Sequence, residues 1–340
     1  MSRVLVTGGN GFVGTNLVEM LQARGDEVTC LVRKSPRLER LKSLGARLAY
    51  FDGLGDESAI REAVANQQVV YHVAGATAAL SRQRFYEINE QGPHNIAQAC
   101  AEQPEPPVLV CVSSLAACGP VSSSGEPVRE GDTPRPVSVY GRSKLAGERA
   151  VRQTADRVPT SIVRPGIVLG PADVNGFAMF RPIKRFGVHV TPGSGRQKFS
   201  IIHVTDLCRL IILAAERGRR IAVEENDESR ALGCYFGTND EFPSWAELGK
   251  MVAKALDRRR VLIVPVARPC VWMVAAAVQG VSQVIRRPLY LNWDKAREIT
   301  AGSWICSPEA AKTELGFTPE APLAERLRQT AQWYRDAGWL

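Results

Sequence analysis

The run Thr7-Gly8-Gly9-Asn10-Gly11-Phe12-Val13-Gly14 constrains this chain more than any other feature. It joins an apolar stretch at 4–6 to a segment in which Phe12, Val13, Leu17, Met20 and Leu21 recur on one helical face, and Gly25 is placed to end that helix. Strand, glycine turn and helix in that order make a cradle for a pyrophosphate. Gly8 permits the tight turn, Gly11 lets the backbone approach the phosphates, and Gly14 allows close helix–strand packing. The helix N-terminus adds unpaired N–H groups and a partial positive charge, with Phe12 and Val13 in its first turn. Glycines alone are a weak signal, because turns need them anyway; the strand–turn–helix setting gives them meaning.

Around the cradle, short apolar runs at 28–32, 46–51, 69–73 and 108–112 alternate with helical patterns. Ser58 stands where it can cap the helix between the third and fourth strands. Helix also fits 85–102 and 140–157, and 161–168 returns as a strand. Strands apolar on both faces belong to a sheet covered by helices on each side. The predicted fold is α/β, a Rossmann doubly wound parallel sheet with a smaller mixed α/β C-terminal substrate-binding region. Residues 1–170 form the dinucleotide-binding domain. After Gly170 the prolines at 171, 182 and 192 change the rhythm, and 171–340 form the substrate-binding region, with strand 198–204 and helix 205–217 returning to the first domain.

The net charge of +8 raises nucleic acid as a partner, but the Lys and Arg residues are spread along the chain instead of forming aromatic-laced stripes. A basic surface that favours a phosphorylated ligand is the simpler reading, without nucleic acid. Eight cysteines contain no C-x-x-C pair, so the expectation is a reduced, cytoplasmic protein without disulfides or zinc, and four scattered histidines suggest no metal site. Met1 leads directly into a strand, unlike a signal peptide.

Cofactor choice falls to the end of the second strand. Leu31-Val32-Arg33-Lys34-Ser35 offers no carboxylate for ribose hydroxyls, whereas Arg33 and Lys34 suit a 2′-phosphate. The expectation is NADP, with NAD the alternative if Arg33 is only a solvated loop residue. Asp52, beside Gly53, is a candidate to accept a hydrogen bond from the adenine amine. Tyr140 and Lys144 lie four residues apart on one helical face. A free phenol has a pKa of about 10, and the Lys144 ammonium together with an oxidised nicotinamide ring would lower it. Lys144 can also reach the ribose. Ser114, after Ser113 at a strand end, is placed to hold the substrate oxygen beside Tyr140.

With these pieces assembled, the chain resembles the extended (atypical) short-chain dehydrogenases/reductases of the NAD-dependent epimerase/dehydratase superfamily over essentially its whole length. The resemblance is carried by TGGNGFVG (7–14), YHVAG (71–75), Asn89 in INEQGPHN, VSS (112–114), YGRSK (140–144), RPGIVLGP (164–171) and IIHVTDL (201–207). It implies that Ala74 and Gly75 line the cofactor, that the backbone near Pro165 faces the nicotinamide, and that Ser114, not Ser113, is the catalytic hydroxyl. It also implies a homodimer through the helices 85–102 and 140–157. Leu-Val-Arg after the second strand resembles the NADP-using branch that includes dihydroflavonol reductases, and the layout resembles 3β-hydroxysteroid dehydrogenases.

Sugar-nucleotide members of that family place an arginine shortly before HV-x-D, where this chain has Phe199; dehydratase members carry an acidic pair where it has Leu115-Ala116. The first points away from a nucleotide-sugar substrate unless Arg196 or Lys198 compensates, and the second points away from dehydration. Residues 269–285 carry no charge and are flanked by Arg258, Arg259, Arg260, Arg286 and Arg287. They read as a buried helix or lid over the cleft, with an interfacial helix making peripheral membrane contact as the alternative. His72 reads as a core residue, His203 with Asp206 as a turn contact, and Trp245, Trp293, Trp304, Trp333 and Trp339 as packing. The expected activity is reversible secondary alcohol–ketone oxidoreduction on an apolar, polycyclic or steroid-like substrate. The alternatives are a nucleotide-sugar epimerase with tightly bound NAD and a non-catalytic dinucleotide sensor.

Overall fold

A computed structural model describes residues 1–340 apart from 36–37, 54, 123–124 and 228. Six strands come first: β1 (Arg3–Thr7), β2 (Glu27–Val32), β3 (Arg47–Tyr50), β4 (Val69–His72), β5 (Val108–Val112) and β6 (Thr160–Pro165). β7 (Ile167–Leu169), β8 (Val188–Pro192), β9 (Ile201–His203), β10 (Cys234–Gly237) and β11 (Leu262–Val266) follow. One seven-stranded parallel sheet has the order β10-β6-β5-β4-β1-β2-β3, while β7 pairs with β9 and β8 with β11. This is the doubly wound Rossmann sheet expected from the sequence, extended at one edge by β10.

The two faces follow from alternation along each strand. In β1, Val4 and Val6 join the core that includes Leu17 and Leu21 of α1 (Phe12–Ala23), whereas Leu5 faces the opposite core. That second core holds Ile60 of α2 (Glu57–Val64), Ile96 of α3 (Gly92–Ala101) and Val151 of α4 (Val139–Arg152). α5 (Val204–Arg217) returns to pack beside α1. Thr7 is level with Leu31 and His72, and His72 with Cys111. The carboxyl ends of β2, β1, β4 and β5 therefore share one edge. The chain reverses its winding between β1 and β4, and the crevice at such a switch point is where α/β sheets bind ligands.

Several local expectations shift. Asp56, not Ser58, caps α2: its carboxylate accepts from Ala59 N at 3.2 Å, and Ser58 Oγ donates to it, because the helix starts one residue before Ser58. The segment 161–168 splits at Gly166 into β6 and β7. A Cβ there would sit 2.4 Å from Ser200 O, so glycine alone lets the backbone cross from the main sheet to β9. In 198–204 only Ile201–His203 is strand, while Lys198 and Phe199 make single bridges to Ser244 and Trp304. The helix over 85–102 starts at Arg82 and carries a π turn at Glu87–Gln91. Pro93 has no N–H to return to Asn89 O, and that carbonyl lies against Gly147, where a Cβ would sit 2.0 Å away. The helix over 140–157 ends at Arg152.

Candidate active site

The glycine turn is as tight as its spacing demands. Gly8 has φ +71, and a Cβ on it would meet Ala74 N and Cα at 2.7 Å. A Cβ on Gly14 would fall 2.1 Å from Gly8 O, so the glycine that starts α1 packs on the turn itself. Gly11 N donates to Gly8 O at 2.9 Å. Thr7 ties β1 to β4 beneath this turn: its Oγ1 bonds His72 Nδ1 at 2.9 Å and accepts from Ala74 N at 3.3 Å. Burial and then the Lys144 charge push His72 down to about 3, so the ring is a neutral core group.

From the turn one cavity of about 1950 Å³ runs along the strand ends. That exceeds the roughly 300–1,000 Å³ that suits one small ligand. Phe12, Val13, Arg33, Lys34, Asp52 and Gly53 line its first part. Arg33 and Lys34 are exposed and make no ion pair among the described residues. Ala74, Gly75 and Pro165 line the middle. Asn89 braces this stretch, accepting from Ala76 N at 2.8 Å and donating to Ala76 O and to Ser143 Oγ of α4. The glycine cradle, the basic end of β2 and the length of the cleft fit a dinucleotide.

Ser114, Tyr140 and Lys144 converge at the inner end. Ser114 turns the chain after β5, accepting from Ala116 N at 3.1 Å, and its side chain hydrogen-bonds the Tyr140 phenol; Ser113 is buried. Lys144 is buried one turn along α4, and its Nζ donates to Val112 O at 2.8 Å. A Cβ on Gly75 would lie 3.2 Å from that ammonium, so glycine opens the space beside it. Burial lowers the Lys144 pKa. Burial also pushes Tyr140 up to about 12, opposed by the Ser114 hydrogen bond and by Lys295.

That last cation comes from outside the helix that carries Tyr140. Lys144 shares a helix face with Tyr140 but turns its ammonium to Val112, and the ammonium over the Tyr140 ring belongs to Lys295, 5.8 Å from the centroid. Lys295 sits on α7 (Trp293–Thr300), after α6 (Arg268–Val284), and lies 4.9 Å from the Tyr290 ring while pairing with Glu298. Burial works against its charge, but Tyr290 and Glu298 hold its pKa above the ordinary lysine value. The same helix fixes the start of α4. Asp294 accepts from Val139 N at 2.6 Å and Tyr140 N at 2.8 Å, while Ser138 Oγ, which caps α4, donates to Glu298 at 2.6 Å. Sequence reasoning passed over Asp294, Lys295 and Glu298 because DKARE at helical spacing reads as a solvated charged face.

Deeper in, Arg164 of β6 and Glu148 of α4 form a bidentate pair at 3.0 and 2.7 Å, 1% and 2% exposed. Beyond Tyr140 the cavity wall turns apolar. Phe199 and Trp245 stack edge to face at 5.1 Å, Trp304 and Met179 lie alongside, and Cys270, Val271 and Val274 of α6 complete the cover. α6 buries only Ala275 and Ser282, so it is a wall of the cleft and not a buried helix. Trp245 and Trp304 thus face the cleft, and Trp293 is exposed against Trp272. His203 caps α5 through Thr205 N, and Asp206 pairs with Arg326. The eight cysteines are free thiols. Among the described residues no cluster could hold a metal ion, and no helix is long and apolar enough to cross a membrane.

Fold and cleft together define a Rossmann-type dinucleotide-binding protein. The chain belongs to the NAD dependent epimerase/dehydratase family, whose pattern matches residues 4–226. It is similar to a ceramide reductase of Caulobacter vibrioides, 29% identical over 338 residues that cover 99% of this chain and 96% of the relative. It is also similar to a UDP-glucose 4-epimerase of Vibrio cholerae, 26% identical with 98% and 96% covered. The solved dTDP-glucose 4,6-dehydratase of Bacillus anthracis, in complex with NAD, shares the fold with a TM-score of 0.76 at 18% identity, covering 100% of this chain and 98% of that one. The family is thus NAD-dependent and its members include reductases and epimerases.

Proposed function

We propose that this enzyme interconverts a secondary alcohol and a ketone on an apolar, polycyclic or steroid-like substrate, with NADP as its cofactor. The observation that carries this reading is the Ser114–Tyr140 pair standing between the glycine-turn cleft and the wall of Phe199, Trp245 and Trp304. A bound nicotinamide supplies or accepts the hydride.

The chain's own residues handle the proton. With its pKa pushed up to about 12, Tyr140 is a phenol at neutral pH and acts as the acid that protonates a carbonyl oxygen. Ser114 holds that oxygen beside the phenol. The Lys295 ammonium stabilises the phenolate left behind, and running the steps backward gives alcohol oxidation. Lys144, Gly75 and the Pro165 backbone border the same space and would hold the ribose and ring, while Arg33 and Lys34 would meet a 2′-phosphate. The similarity to a ceramide reductase supports a large apolar substrate. The similarity to an epimerase keeps sugar nucleotides as the rival, but at the position before HV-x-D where sugar-nucleotide members place an arginine the cleft presents Phe199 packed on Trp245.

The test is consumption of NADPH with a panel of steroid-like and long-chain ketones, run beside UDP-glucose without added cofactor. Ketone-dependent oxidation of NADPH is the expected result. Interconversion of the sugar nucleotide with none of the ketones reduced would overturn the reading.

A further inference from the structure

α6 has two faces with different surroundings. Cys270, Val271 and Val274 look into the cleft. Opposite the buried Ala275 and Ser282, and adjoining the cleft rim at Cys270 and Val274, Met273, Ala277, Val281 and Val284 fall on one stripe at 100° per residue, and all are exposed, Met273 at 63% and Val284 at 84%. Ile285 extends the exposed apolar surface past the helix end. Water-facing apolar stripes of this kind mark surfaces that meet another phase or another molecule. The ties that hold α6 are slight: it packs on α7, with Trp272 against Trp293, and Gln283 reaches Leu80 O at 3.1 Å.

Charge says which phase covers this stripe. Between Asp257 and Asp294 the chain carries six arginines (258, 259, 260, 268, 286 and 287) and neither acid nor lysine. Arg268 stands exposed at one end of α6 and Arg286 and Arg287 at the other, none of them in an ion pair among the described residues. A stripe of apolar residues bracketed by unpaired cations matches the boundary of an anionic bilayer, where acyl chains take the apolar face and headgroup phosphates the guanidinia. A second copy of this chain would bring the same positive charge to the contact. At 17 residues the helix spans roughly 26 Å, short of the roughly 30 Å hydrocarbon layer, so it lies in the interface and does not cross it.

We infer that α6 seats the enzyme on the surface of an anionic lipid bilayer, with Met273, Val281 and Val284 in the acyl boundary and Arg286 and Arg287 among the headgroups. The docking stands on this surface alone. Its corollary, that an apolar ketone passes from the bilayer beside Val271 and Val274 into the cleft, rests on the function proposed above.

The test uses the whole protein in flotation with vesicles of phosphatidylcholine alone or mixed with phosphatidylglycerol. Binding to the anionic vesicles should be at least roughly tenfold tighter, weaken with added salt, and be lost in Val281→Glu/Val284→Glu and in Arg286→Glu/Arg287→Glu. Both variants alter exposed residues outside the cleft and should reduce a dissolved short ketone as the unaltered enzyme does, while losing rate on a ketone presented in vesicles. Flotation that is absent, or equal for protein and variants, overturns the docking even if ketones are reduced. A dimer in solution that the Val281→Glu/Val284→Glu change splits assigns the stripe to a second copy and likewise overturns it. Strong flotation without reduction of any ketone leaves the docking standing and removes the proposed activity.

Discussion

The two walls of the cleft are held in different ways. On the sheet side, Ser114, Lys144 and the glycine turn hang from strand ends and helices whose neighbours are buried, and Arg164–Glu148 and Asn89 lock α4 to β6 and to the loop after β4. On the other side, β11, α6 and α7 form an arm over 262–300 that is mostly exposed or half-buried. That arm touches the sheet side strongly at one place, where Asp294 and Glu298 grip the start of α4. On the proposed function, Ser114 and Tyr140, which would handle the proton with sub-ångström constancy, sit in the packed half, whereas the cover that would meet the substrate can vary at little cost to the fold.

Five experiments would break or sharpen this contrast. Tyr140→Phe should lower kcat by about 10³-fold, within the range for a lost general acid, while NADPH binding followed by fluorescence stays intact. Turnover near that of the unaltered enzyme would move the chemistry off the sheet side. Glu148→Gln strands a buried guanidinium and should cost about 3–5 kcal/mol in urea unfolding, whereas Val281→Glu on the arm should stay within about 0.5 kcal/mol. Similar losses at both sites would erase the contrast.

Arg33→Glu should raise the KM for NADPH about 10–100-fold with kcat little changed, since charge-assisted contacts to a phosphate are lost. An unchanged ratio of NADPH to NADH use would return the cofactor to NAD. Asp294→Ala removes the carboxylate from the start of α4 and should cost about 1 kcal/mol of stability, with kcat falling more than KM rises. Lys295→Met should act through pH. The cation favours the phenolate, so its loss raises the Tyr140 pKa further; the alkaline limb of ketone reduction, which needs the protonated phenol, moves up. Alcohol oxidation, which needs the phenolate, should slow at fixed pH, and Lys295→Arg should restore both profiles.

Much of the sheet side was legible because its signals are local. A strand apolar on both faces, a glycine that must take φ +71, and a tyrosine four residues before a lysine each show within a few positions. What escaped depends on partners far along the chain. Ser58 and Asp56 are both good caps, and only the true start of α2 chooses between them. The break at Gly166 is set by Ser200, and β10 joins the sheet beside β6 after about 70 intervening residues.

By itself the sequence determined the dinucleotide cradle, the basic end of β2 and the phenol–lysine pair on one helix, because steric demand and charge at those positions are satisfied within one strand–turn–helix unit or one helical turn. Only the tertiary structure decided that Lys295 and not Lys144 stands over Tyr140, that Phe199 and Trp245 face the cleft, and that α6 shows an apolar stripe outward. Tyr140 N and the Asp294 carboxylate that receives it are 154 residues apart, and no local preference encodes such a meeting; it exists because the packed sheet and the arm are brought against each other in three dimensions.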